Sequence, residues 1–142
     1  MHKFLRLLLS VVLGLIAGSV VNMGLITISG QFIAPPAGVD VSTAAGLKAA
    51  MHLFEPKHFV FPFLAHALGT LTGAFVATLL APGRSPVPAY AVGGLFLLGG
   101  IANVFMLPAP LWFSAVDLLL AYLPAAFLGH ALAARLARRR AA

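Results

Sequence analysis

Four apolar runs leave this chain few folds to choose from: residues 7–28, 59–81, 89–107 and 114–134. A bilayer core about 30 Å thick is crossed by about 20 helical residues at 1.5 Å each. Lipid offers no partner for a backbone N–H or C=O, so a lone apolar run that crosses it must be helical. Charged residues make up 8% of the chain, against about 25% in soluble domains. A water-soluble surface cannot be built from so few. The expectation is an all-α, polytopic membrane protein, a single domain over 1–142, with four transmembrane helices in a compact bundle.

The basic start at His2, Lys3 and Arg6 resembles a secretory signal peptide, with Ala17 and Ser19 where cleavage would fall. The apolar run continues well beyond that point, so a retained helix is expected. Pro35, Pro36 and Gly38 then break the helix. In the connector, Leu47, Ala50, Met51 and Phe54 recur at i, i+3, i+4 and i+7, with Lys48, His52 and Glu55 on or near the other face. That spacing predicts a short amphipathic helix over about 42–54, lying in the interface and capped by Asp40 or Ser42. Pro56 disfavours helix at Glu55 and separates it from the second span. Prolines 82, 86 and 88 mark the next loop, and Pro108 and Pro110 the last. Trp112 is an interfacial aromatic, and Pro124 predicts a kink in the fourth span.

Basic residues set the expected orientation. With the N-terminus inside, the cytoplasmic face carries Lys3, Arg6, Arg84, Arg135, Arg138, Arg139 and Arg140, and the outer face only Lys48 and Lys57. Both termini are therefore expected in the cytoplasm, in an inner or plasma membrane. The net charge of +6 is concentrated at the chain ends, which suits anionic lipid headgroups rather than nucleic acid. Cysteine is absent, which rules out disulfides and thiol chemistry.

Small residues recur every fourth position: Ser10, Gly14, Gly18 in the first span and Ala65, Gly69, Gly73, Ala77 in the second. Such GxxxG ladders let helices approach closely, within a bundle, a homo-oligomer or a larger membrane complex. Gly18 to Asn22 and Gly99 to Asn103 share a Gly-x-x-x-Asn pattern, as two duplicated hairpins would. The FLAHAL and FLGHAL segments around His66 and His130 do not support that duplication, because the two histidines fall at opposite depths.

Candidate site residues follow from depth. Asn22 and His66 lie about 9 Å below the outer end of their spans by helical rise, and Asn103 and Asp117 somewhat higher. Glu55 and His58 stand above them. Ionisable groups in a membrane face the bundle interior and find partners. An Asp117 carboxylate would fix the tautomer of His66 if their helices meet. His66, Asp117, Asn22, Asn103, Glu55 and His58 thus define a candidate polar pocket toward the outer leaflet. It fits binding or translocation of a small solute, ion or proton. A lipid-directed enzyme with His66 as base and Asp117 as its orienter is the alternative. So is a structural or assembly subunit, with the polar residues acting only as interhelical glue. His52, Glu55 and His58 are weak metal ligands, since i, i+3, i+6 spreads them around a helix. No cofactor is expected, and no hydrolase, phosphate-loop or dinucleotide signature is present.

Overall fold

The computed structural model describes residues 2–139, so Arg140 of the basic tail lies outside the described residues. Every regular element among them is helical, and four stretches are long and apolar enough to span a membrane. The chain is an all-α, four-span membrane bundle.

Helix α1 (His2–Phe32) runs past the apolar 7–28 at both ends. Its 31 residues extend about 46 Å, so it overhangs a bilayer core. The chain leaves helix at Phe32, shortly before Pro35 and Pro36, which lack the N–H groups that would continue the ladder.

The connector helix α2 (Ala44–Ala50) is shorter than 42–54, and a 3-10 turn, Met51–Leu53, completes it. Its cap is Thr43, whose hydroxyl accepts from the Gly46 N–H at 3.0 Å. Asp40 does not cap the helix directly. Its carboxylate accepts from the Ser42 N–H and hydroxyl and from the Thr43 hydroxyl, so it steadies the cap from outside. Those bonds hold the Asp40 carboxyl below the usual carboxylate range. Leu47 and Phe54 press on a buried cluster of Met51, Phe59 and Phe113. The Phe59 and Phe113 rings lie 4.7 Å apart, so the connector is fastened to the bundle by aromatic packing.

A 3-10 turn, Pro56–Phe59, leads into α3 (Val60–Leu80). This is the central helix, in contact with every other membrane helix. It meets α1 at backbone distance. A Cβ on Gly14 would stand 2.6 Å from the Gly73 carbonyl oxygen, and one on Gly18 equally close to that of Gly69. Only glycine allows that approach. The turn after α3 has Gly83 and Arg84 in the left-handed region, and the Arg84 guanidinium donates to the Leu79 carbonyl, one of those left free at the helix end.

Helix α4 (Val87–Met106) starts with Pro88 in its first turn, where the missing N–H costs little. The fourth span is two helices, α5 (Leu111–Leu120) and α6 (Leu123–Arg139). The kink expected at Pro124 is a full interruption, centred on Ala121 and Tyr122. Pro124 offers no N–H to the Leu120 carbonyl, and its ring would clash with that carbonyl in a continuous helix. The chain turns instead, then re-forms helix with the Ala126 N–H on the Tyr122 carbonyl at 2.8 Å. Ala74, Ala89 and Ala126 make a fully buried alanine layer between α3, α4 and α6.

Candidate functional site

The break in the fourth span builds the site. Asp117 lies in the last turns of α5, 4% exposed, and Tyr122 follows in the break, 2% exposed. Five residues apart on one helix they would point about 140° apart. The turn brings the Tyr122 hydroxyl onto the Asp117 carboxylate at 3.0 Å. From α3, His66 places Nδ1 2.9 Å from each Asp117 oxygen. The Tyr122 and His66 rings stack with centroids 5.7 Å apart.

With Asp117 ionised, its carboxylate only accepts, so Tyr122 donates its O–H and His66 its Nδ1–H. Among the described residues, Nε2 of His66 makes no hydrogen bond to the protein. The imidazole is therefore oriented by Asp117 and free at its other nitrogen, where it can accept a hydrogen bond, take a proton, or donate once protonated.

His66 forms part of the wall of a cavity of about 320 Å³ between α1, α3, α4 and the break. Asn22 of α1 and Asn103 of α4 are on the same wall. Of the six candidate residues, then, His66, Asn22 and Asn103 share this cavity, and Asp117 stands behind His66. A second cavity of about 260 Å³ lies toward the connector and is mainly apolar, lined by Leu47, Met51, Phe54 and Phe113 among others. His66 and Asn103 line both cavities.

His58 lines the second cavity but is already occupied. Its Nδ1 accepts from the Glu55 N–H at 2.8 Å, and its Nε2 lies 3.2 Å from the Ala34 carbonyl, to which it donates in that tautomer. It closes a capping box that starts the 3-10 turn and ties the connector to the end of α1. Glu55 lines neither cavity. It is exposed and pairs with Lys57 at 2.9 Å, an arrangement that holds its carboxyl below the usual range. His52 is exposed. No group of three or more His, Asp or Glu side chains among the described residues is placed to hold a metal ion, so His52, Glu55 and His58 do not converge. His52 lies in the 3-10 turn Met51–Leu53, and His58 in the separate turn that starts at Pro56.

Sequence reasoning missed Tyr122 and Thr70. Thr70 is one turn beyond His66 on α3, 1% exposed, and part of the first cavity's wall. Its hydroxyl has no hydrogen-bond partner, alone among the buried side-chain polar atoms described. By contrast, Ser10, Thr27 and Thr78 each donate to the carbonyl four residues back. The available signal was the i, i+4 spacing of His66 and Thr70, which puts a second polar group on the histidine's own face. His130 is separate from this site: its Nδ1 meets the Thr78 hydroxyl at 3.2 Å, toward the far end of α3.

The two Gly-x-x-x-Asn units meet at the first cavity, but their glycines differ in use. Gly18 packs against Gly69, whereas a Cβ on Gly99 would touch nothing. It is Gly100 that packs, since a Cβ there would collide with the Tyr122 ring.

Comparison with protein-family models, with characterised proteins and with solved structures finds no match to this chain.

Proposed function

We propose that this protein is a binding and transfer site for a small polar solute or a proton, set in an inner or plasma membrane with both termini in the cytoplasm. The bias of Lys and Arg toward one set of loops and ends supports that orientation. The cavity at His66 then lies in the outer half of the bundle. The observation that carries the reading is the His66–Asp117 pair at 2.9 Å, with Nε2 unpartnered among the described residues in a ring that lines a cavity shared with Asn22 and Asn103. Ionisable groups are costly inside a membrane and mark pathways and relays when they persist there. The small-residue ladders, on this reading, serve the packing that holds the pair together.

A second reading shares the dyad. An imidazole oriented by a carboxylate is also the arrangement of a general base, here toward a lipid-type substrate. The dyad supports this reading equally, but no further observation favours it, so it stands second. The deciding experiment is flux in proteoliposomes, followed with a pH-sensitive dye for protons and with labelled neutral solutes. His66→Ala should abolish flux while the protein remains folded by circular dichroism. Flux equal to that of the wild type overturns the proposal, and lipid turnover by the wild type would favour the enzyme.

A further inference from the structure

The occupant of the His66 cavity can be specified further, given the reading of that cavity as a binding site. We infer that it takes an uncharged amphiphile, with a hydrogen-bonding carbonyl or hydroxyl head beside His66 and Thr70 and an apolar body under the connector.

Three observations carry this. The first is charge. Ser19, Asn22 and Asn103 offer the cavity neutral groups that both donate and accept, and no Lys or Arg among the described residues lines it. The Asp117 carboxylate is engaged by His66 and Tyr122. A fixed cation or anion would leave water for a place without an unpaired counter-charge, which is expensive. A neutral head would not.

The second is the Thr70 hydroxyl. A buried hydroxyl without a partner costs about 1–3 kcal/mol. This one declines the intrahelical bond that Thr78 makes on the same helix. In this conformation the oxygen is closed off from the cavity, and a ligand oxygen or N–H there supplies the missing partner once the Thr70 side chain rotates toward it.

The third is the pairing of two cavities. Both are mainly apolar, the first with more polar side chains on its wall, and they share His66 and Asn103. Two adjoining apolar spaces with hydrogen-bonding side chains concentrated in one of them match a molecule with a polar head and a hydrophobic body. Access is lateral. Ser19 and Met23 of α1, with Gly99 and Asn103 of α4, are exposed on the bundle flank that faces lipid. A membrane-dissolved ligand reaches the site from there without crossing water.

The test uses the full chain in phosphatidylcholine nanodiscs, with 15N-labelled histidine. The His66 Nε2 resonance is followed during titration with a decyl-substituted benzoquinone, with 1-decanol, with decane, and with the same benzoquinone bearing a methyl in place of the decyl chain. A saturable shift with the decyl quinone or with decanol, and none with decane at equal mole fraction, is expected. The arm that responds assigns the head as carbonyl or hydroxyl. At equal mole fraction in the membrane the methyl quinone should bind more weakly, because it lacks the decyl chain's van der Waals contacts with the apolar wall. Ala109→Phe, which adds bulk to the second cavity's wall, should weaken decyl-quinone or decanol binding, with the ligand-free His66 signal unchanged. Asn103→Leu, at an exposed position the fold tolerates, should weaken it as well. If methyl and decyl quinones bind alike and Ala109→Phe has no effect, the amphiphile is wrong and a small polar ligand at His66 stands. If no probe shifts His66 saturably, the amphiphile is wrong again, and the flux assay with His66→Ala decides separately whether the site reading survives.

Discussion

The Nδ1 of His66 lies 2.9 Å from both oxygens of Asp117, joining residues 51 apart in sequence. Asp117 also holds the Tyr122 hydroxyl, so one carboxylate ties α3 to both halves of the fourth span. Asp117→Ala should therefore leave two donors unpaired and lower stability by about 1–3 kcal/mol. Asp117→Asn keeps an acceptor for His66 and should cost less. Equilibrium unfolding in mixed micelles measures both, and an Asp117→Ala protein as stable as the wild type would show that the network contributes nothing to the fold.

Thr70→Val should run the other way. The side chain keeps its shape and loses a hydroxyl that has no partner. The ligand-free protein should become about 1 kcal/mol more stable, while its response to the decyl quinone or decanol weakens. A stability loss above that size would mean that the hydroxyl is satisfied after all.

Neighbouring glycines should separate cleanly. Gly100→Ala drives a Cβ into the Tyr122 ring, and Gly18→Ala drives one into the Gly69 carbonyl and Phe96. Each should cost about 1–3 kcal/mol. Gly99→Ala and Gly24→Ala meet nothing within 4 Å and should be neutral or stabilising, since alanine is the better helix former. Thermal unfolding of the four variants in one detergent compares them directly, and losses at Gly99 or Gly24 as large as those at Gly100 and Gly18 would contradict the packing described.

The four spans were legible because lipid imposes a length and a polarity that composition alone reveals. The meeting of His66 with Asp117 was legible only as a possibility, since depth along a helix is readable and azimuth is not. Tyr122 was illegible: an aromatic in an apolar run has no mark of its own, and its hydroxyl reaches Asp117 only because Pro124 interrupts the helix before it. Glu55 and His58 were misplaced for a local reason. Each is close to the right height, but the 3-10 turn that starts at Pro56 spends His58 on its own cap and leaves Glu55 exposed.

The connector should respond to acid before the bundle does. Asp40 has its folded pKa depressed by the bonds from Ser42 and Thr43. A depressed carboxyl stabilises the fold above its unfolded pKa, and that contribution is lost as pH falls through the folded value. Amide exchange at Gly46 and Leu47 should rise as pH drops below the usual carboxylate range, after correction for intrinsic rates, while α3 stays protected. Asp40→Ala should give the same increase at neutral pH. Protection at Gly46 that is unchanged in Asp40→Ala would show that Thr43 caps α2 unaided.

The divided fourth span also orders the protein's assembly. The ten residues of α5 reach about 15 Å, too little to cross a bilayer core alone, and they carry the one carboxylate of the membrane-spanning helices. His66 precedes Asp117 by 51 residues, so α3 is synthesised before the segment that carries its partner. A chain ended at Leu107 would leave that histidine without its carboxylate, beside Asn22 and Asn103.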